Sequence, residues 1–397
     1  RECQILHYVP ISAEARRLHL SDAQQLLIVG GNRCLPLDSP ILMADGSSRF
    51  LSSVQIGDMV IGADPKTRAG VPSVVTEIHR STQDVWQLNY TDGDSLRISL
   101  DHELPLFRRT GGDYTRTEKC RVGDFLEKFN AKLVKYRLSA LALKTVKFTP
   151  TECSINPYVL GVLLGDGGLT SSSINFTAAS QEFVNHIQER LPTDCVLKKH
   201  GQKYSYGLVR RSSKIRTNSV LVELRRLGLM GNGSHDKFVP DEVWGWSEDN
   251  RKLLLAGLVD TDGGKEEYCS VSKKLADGFC KLVHSIGGKA TLTTRYNRFG
   301  PFYRIYWRIN TKLDLFYAYK QTSPSKRAVD YARRPIRNIE FVGNVLCGDI
   351  TINHPAHCYV VGDARGWTIV SNSGKTETSL AELAIQLTGI VPLSLRD

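Results

Sequence analysis

The stretch LIVGGNRCLPLDSP, residues 27–40, begins as the strand and glycine turn of a phosphate-binding loop and then breaks off. From Gly30 the pattern asks for four residues and then Gly-Lys followed by Ser or Thr, because backbone amides and a lysine must close round the phosphates. Cys34 arrives instead. The missing half, SNSGKTETS, stands at residues 371–379, more than three hundred positions downstream. Deleting 34–372 joins the flanks as LIVGGNRSGKTETS, in which Gly30, four residues and Gly374-Lys375-Thr376 complete the motif with none to spare. The intervening segment is therefore expected to be removed, leaving Gly30, Gly374, Lys375 and Thr376 to hold ATP in the joined chain.

Composition narrows the classes. A chain of 397 residues, 41% hydrophobic, has room for two or three domains. Its apolar runs fall short of the roughly 18 residues that a membrane span needs, so no membrane partner is expected. The first residues, RECQILHYVPISAEARRLHLSD, lack the apolar centre of a signal peptide, and a start at Arg rather than Met reads as a fragment. Nine cysteines, an odd number with no C-x-x-C pair, argue against a disulfide framework or zinc site and for a reducing cytoplasm. The net charge of +11 is unevenly spread: residues 136–335 hold 31 Lys+Arg against 18 Asp+Glu, and the rest holds 21 against 23. A basic middle between neutral flanks calls for a polyanion as partner of that middle alone. A solvated lysine-rich surface is the plainer alternative.

Residues 34–135 read as short strands. Asp-Gly between apolar or β-branched runs, in PILMADGSSRF and LNYTDGDSLRISL, marks two hairpins. The same style returns at 336–372. Between them, NPYVLGVLLGDGG (156–168) and DNRKLLLAGLVDTDGG (249–264) look like apolar helices that stop at glycines, the first with Asn156 as cap and Pro157 in its first turn. A β domain is thus interrupted by an α/β insertion, 136–335, and both lie inside a loop split between 1–33 and 373–397. The insertion repeats itself. Aligning VLGVLLGDG with LAGLVDTDG pairs Gly161 with Gly257, Asp166 with Asp262 and Gly167 with Gly263, the two acids 96 residues apart. Small residues at the third position let two helices approach closely, and each helix brings a carboxylate to their shared end. Two carboxylates under a basic surface suit metal-assisted phosphodiester hydrolysis, with Mg2+ taking oxygen ligands. Two apolar helices capped by Asp-Gly, with no chemistry, are the bland alternative.

LAGLVDTDG (255–263) resembles the signature of the LAGLIDADG homing endonucleases, and VLGVLLGDG (159–167) resembles its more degenerate first copy. The resemblance implies an α/β domain with an αββαββα pseudo-two-fold repeat. It also implies Asp166 and Asp262 as metal-binding catalytic acids, one for each DNA strand, with Mg2+ as cofactor. The substrate would be double-stranded DNA of the host gene lacking the insertion. DKFVPDEVW (236–244) resembles the block between the two copies, which makes Lys237 an auxiliary catalytic residue; no second lysine stands out. RYNRFGPFYRIYWRIN (295–310) is the candidate base-reading sheet, and the protein is expected to act as a monomer.

Over the whole of 34–372 the chain resembles an intein. The implied fold is mixed: an all-β Hint splicing domain of horseshoe form, interrupted by the α/β endonuclease. CLPLDSPILMADGSSRFLSSVQIGD (34–58) resembles the N-terminal splicing block, and SLDH (99–102) the T-x-x-H block with Ser99 in the threonine's place. CGDITINHPAHCYVVG (347–362) resembles the penultimate block and VVGDARGWTIVSNS (360–373) the final one. By that resemblance Cys34 attacks the Arg33 carbonyl, His102 acts on the scissile amide and Ser99 holds it. Ser373 then takes the acyl group with help from Asp349 and His357, and Asn372 cyclises. Ser371 stands where the family usually has histidine, so His357 is expected to carry more of the last step, with His354 as a second candidate. Cys347 and Cys358 read as packing thiols.

The joined GGNRSGKT resembles the ATP-binding loop of phage terminase large subunits. Three alternatives stay open: a P-loop ATPase that keeps its insertion, an intein whose nuclease binds DNA without cutting, and a Hedgehog-type autoprocessing domain. In the last, Asn372 and Ser373 would be idle.

Overall fold

The structure, a computed structural model, describes residues 34–110, 113–124, 126, 138–201, 203–212, 217–321 and 330–372, with backbone only at 108–110 and 113–120. Two long strands, Ala69–Tyr90 and Arg333–Ile352, pair antiparallel from Ile336 opposite Tyr90 to Ile352 opposite Val75. They are the spine of a 13-stranded sheet. Its terminal strands, Ser48–Phe50 and Asp113–Arg121, lie at opposite ends of the strand order, so the sheet stays open. Leu88, Tyr90, Ile336, Ile350 and Ile352 form part of a core enclosed by this sheet. Both expected hairpins are present. Their turns use Gly46 and Gly93 at φ of 81° and 88°, a region where a Cβ is strained. The two ends of the segment enter the same sheet: Leu35–Pro36 pairs with Gly348 and Cys347, and Gly366–Ser371 pairs with Cys358–Asp363.

Inside this sheet's chain lies the α/β unit. Helix α1, Pro157–Asp166, starts at Asn156, whose side chain accepts from the Val159 amide at 3.2 Å. Strands Gly167–Gly168 and Ile174–Thr177 follow, then α2 (Gln181–Gln188), strands Cys195–Lys199 and Ser205–Arg210, and α3 (Ser219–Arg226). The order begins again with α4 (Glu248–Asp262), strand Glu267–Ser270, α5 (Lys273–Ser285) and strands Lys289–Asn297 and Gly300–Arg308. Helices α1 and α4 cross at Gly161 and Gly257. A Cβ on Gly161 would strike the Leu254 carbonyl, and one on Gly257 the Tyr158 carbonyl. The fold is therefore mixed: an open all-β unit interrupted by an α/β unit with the αββαββα repeat.

The two units share a seam. Leu138–Leu141 pairs with Arg333–Pro335, and Thr145–Val146 with Ala69–Gly70, so these short strands belong to the large sheet. One apolar core then runs across, joining Val146, Phe148, Trp367 and Ile369 to Leu254, Leu282 and Val283. Arg251, buried at the seam, donates to the Val146 carbonyl at 2.8 Å and the Ser285 carbonyl at 3.4 Å. The Trp367 ring centroid lies 6.1 Å from those of Phe148 and His284. Among the described residues no helix is long and apolar enough to cross a membrane.

Candidate active sites

The first site lies where the segment's two ends meet the sheet. Cys34 is fully buried. Its amide donates to Ser99 Oγ at 3.2 Å, and the Ser99 amide donates back to the Cys34 carbonyl at 3.1 Å. The hydroxyl thus holds the amide on the upstream side of Cys34. Ser81 Oγ stands 3.4 Å from Cys34 Sγ, a neighbour that no sequence block marks. His102, also fully buried, follows one turn after Ser99 and is fixed by its amide on the Ser99 carbonyl at 3.1 Å and its carbonyl on the Val122 amide at 3.0 Å.

The other end is held by backbone. The Asn372 amide donates to the His357 carbonyl at 2.8 Å, and Asn372 is fully buried. His357 takes φ of 50°, a left-handed conformation that costs a β-carbon residue of order 1 kcal/mol and tends to persist at functional positions. Ser371 packs its hydroxyl 3.6 Å from Cys358 Sγ. His354 spends its Nδ1 on the Ala356 amide at 3.2 Å, a turn-forming contact. Asp349 is buried in the long strand, one position beyond the Gly348 that pairs with Leu35. The Cys347 thiol packs in one small cluster with Cys34 and is pushed up to about 12 by burial and then by Cys34. Tyr359, opposite Val370 on the neighbouring strand, is fully buried. Burial, then Asp349, Cys34 and Cys358, hold its phenol well above the usual value. Ser373, Gly30, Gly374, Lys375 and Thr376 lie outside the described residues.

The second site is a cleft of about 620 Å³ at the carboxyl ends of α1 and α4, lined by Asp166, Asp262 and Lys237. Lys237 Nζ donates to the carbonyls of Leu163 at 3.2 Å and Gly165 at 2.7 Å, closing the end of α1. Lys320 does the same for α4, donating to Val259 at 2.9 Å, Asp260 at 2.7 Å and Thr261 at 3.2 Å. It is the counterpart of Lys237 across the repeat, and the sequence reading missed it. The only signal for it was the repeat itself, since YAYKQ (317–321) carries no apolar-Pro pair like that of DKFVP.

Burial and then the Asp166 charge push Asp262 up to about 6, and Lys237 and Lys320 oppose this. Asp166 is raised by burial, and both lysines are lowered by it. Two carboxylates in one cleft, with Asp166 still raising Asp262 despite two nearby ammonium groups, fit a divalent cation with oxygen preference. Among the described residues no cluster of three or more His, Cys, Asp or Glu could hold a metal, so any remaining ligands would be water or substrate oxygens.

Beside the cleft, Lys289–Asn297 and Gly300–Arg308 form the hairpin of the arginine- and aromatic-rich stretch. Ile305 and Trp307 face the core, while Arg304, Tyr306 and Arg308 face out. Arg304 is anchored by both oxygens of Glu267 at 2.7 and 2.6 Å and lies over Tyr306. Tyr296 and Phe299 stand exposed at the tip.

No family model matches the chain. Over 288 residues, 67% of this chain and 44% of the relative, it is 25% identical to the replicative DNA helicase DnaB of Mycobacterium intracellulare; it spans less than half of that protein. Among solved structures it is similar to a mutant of an Ssp DnaB mini-intein variant, at TM-score 0.30 and 10% identity, covering 86% of this chain and 98% of that one. It is also similar to I-DmoI in complex with DNA and Mn, at TM-score 0.29 and 15% identity, covering 39% of this chain and 89% of that one.

Proposed function

We propose that residues 34–372 excise themselves from the chain and that the α/β unit within them cuts the DNA of a gene copy lacking the insertion. The splicing unit is 34–135 with 336–372 and the nuclease 136–335, strands 138–146 and 333–335 being the seam. One observation carries the reading: the first and last residues of the segment, Cys34 and Asn372, are both fully buried and hydrogen-bonded at the ends of strands of one sheet. The ends of an ordinary insertion have no reason to be so held.

In the proposed sequence the Cys34 thiolate attacks the Arg33 carbonyl. A thioester forms and the Cys34 nitrogen leaves as an amine, protonated by His102 while Ser99 orients it. Ser373 Oγ then displaces the thiolate, giving an ester, with Asp349 and His357 to take its proton. The Asn372 side-chain nitrogen attacks its own main-chain carbonyl, forming a succinimide and breaking the bond to Ser373. A shift from ester to amide joins Arg33 to Ser373. Proximity within one rigid sheet is the main source of rate.

In the cleft, Asp166 and Asp262 would hold Mg2+, which when bound stabilises charge on the attacking and leaving oxygens. Lys237 and Lys320 offer one ammonium group to each half-site, and the outward face of the 289–308 hairpin would lie along the duplex as a monomer's base-reading surface. The joined flanks would bind ATP in a P-loop ATPase, for which the resemblance of GGNRSGKT makes a terminase our proposed host.

Two measurements test this. Intact mass after expression should show residues 34–372 free and 1–33 joined to 373–397; an unchanged chain overturns splicing. A duplex encoding IVGGNRSGKTET should be cut with Mg2+ at low salt, and duplexes spanning either insertion junction should not. Binding should weaken steeply with salt. Equal cutting of all three duplexes overturns the assignment of target.

A further inference from the structure

The two half-sites match at Gly161 and Gly257, at Gly167 and Gly263, and at their acids and lysines, but differ two positions before each acid. Leu164 stands there in α1 and Asp260 in α4. Leu164 is buried in the apolar core, as a helix-packing residue should be. Asp260 is equally buried, yet it is a carboxylate. Such a group needs donors around it. Its Oδ2 accepts from the Tyr158 hydroxyl and the Phe316 amide, both at 2.8 Å, and its Oδ1 from the Tyr317 amide at 3.0 Å.

Those two amides lead directly into the short turn Ala318–Lys320. The Lys320 amide returns to the Tyr317 carbonyl at 2.9 Å, and its Nζ reaches the carbonyls of Val259, Asp260 and Thr261. Tyr158 comes from α1, so one carboxylate ties both central helices to the segment that carries the lysine. Lys237 is set by another device. Ser272, the cap of α5, donates from Oγ to the Lys237 carbonyl at 2.6 Å while accepting from the Leu275 amide at 3.2 Å.

Building on the nuclease reading above, we propose that Asp260 is a positioning residue that sets Lys320 in its half-site, whereas Ser272 sets Lys237 in the other. The lysines of a near-symmetric site thus hang on unlike supports, and each DNA strand depends on its own. Asp260→Asn keeps the shape of the side chain but turns an NH2 group toward donors. The helix remains, and the 316–317 backbone loses its anchor.

The test uses the full chain, Mg2+ and a duplex encoding the joined flanks, labelled separately on each strand, with supercoiled plasmid in parallel. Asp260→Asn should slow one strand by about tenfold or more, as a displaced catalytic group does, and leave the other within about twofold, so nicked plasmid accumulates. The slowed strand should be the one slowed by Lys320→Met, and the double variant should be no slower than Lys320→Met alone. Ser272→Ala should slow the opposite strand, matching Lys237→Met. Equal slowing of both strands by Asp260→Asn, no slowing, or slowing of the Lys237 strand overturns the proposal. If Asp260→Asn does not fold, Tyr158→Phe loosens the same carboxylate and should bias the same strand; equal rates then overturn it. A wild-type chain that cuts neither strand defeats the nuclease reading itself, a result distinct from wild-type cutting with an unbiased variant.

Discussion

Gly161 and Gly257 each occupy the space where the other's helix would carry a side chain: a Cβ on Gly161 meets Gly257 Cα at 2.9 Å, and one on Gly257 meets Gly161 Cα at 3.0 Å. Backbone, not a flexible tip, is what a methyl would strike. Gly161→Ala or Gly257→Ala should therefore push the helices apart, costing about 1–3 kcal/mol. Because α1 and α4 carry the two acids, cutting of both strands should fall together. Urea denaturation and strand-resolved cleavage check this, and an alanine variant with wild-type stability would refute the contact.

The two ends of the segment should fail in different ways. Cys34→Ala should stop thioester formation yet leave Asn372 free to cleave its own bond. Asn372→Ala should block that cleavage while the Arg33–Cys34 thioester still forms. Added thiol should then release residues 1–33 from the Asn372→Ala chain. Mass spectrometry reads the fragments, and thiol that releases nothing disproves the role given to Cys34.

Asp166→Asn or Asp262→Asn should reduce double-strand cutting to background, leaving at most a nick in one strand, and leave the yield of joined flanks unchanged. The reason is distance. Arg251, in the first turns of α4, touches the seam, and Asp262 lies eleven residues on, roughly 16 Å at 1.5 Å per residue. Loss of splicing in a soluble, folded Asp variant would contradict this separation.

Acid should weaken the seam through His284. Burial, then the Arg334 charge, push this imidazole down from 6.5 to about 4. A pKa depressed in the folded state leaves full stability above 6.5, where both states are neutral. Below that, the unfolded chain takes up the proton first, and stability drains away until pH reaches about 4. Between pH 6.5 and 4.5 the native chain should lose about 2 kcal/mol more than His284→Gln. Parallel urea midpoints for the two across that range would rule the imidazole out as the cause.

What could be read beforehand was local. The Asp-Gly hairpins, the Asn156 cap and the paired apolar helices follow from neighbours in sequence, because turns, caps and helix faces are short-range devices. Cys34, Ser99, His102 and Asn372 were legible through blocks with fixed spacing. Lys320 and Ser81 were not. Lys320 acts by closing carbonyls some sixty residues upstream, and Ser81 reaches Cys34 only because the long strands align it there. No motif marked Arg251 or His284; their burial is a product of two units packing together, which no local pattern encodes.

Trp367 is one residue through which that packing is made. It stands five positions before Asn372 on the last described strand, and its ring packs against Phe148 and His284. If the α/β unit were cut out, the indole face now covered by Phe148 and His284 would be laid open to water. Such a shortened chain should lose solubility unless 367 takes a polar residue, and the soluble fraction after expression would show the difference.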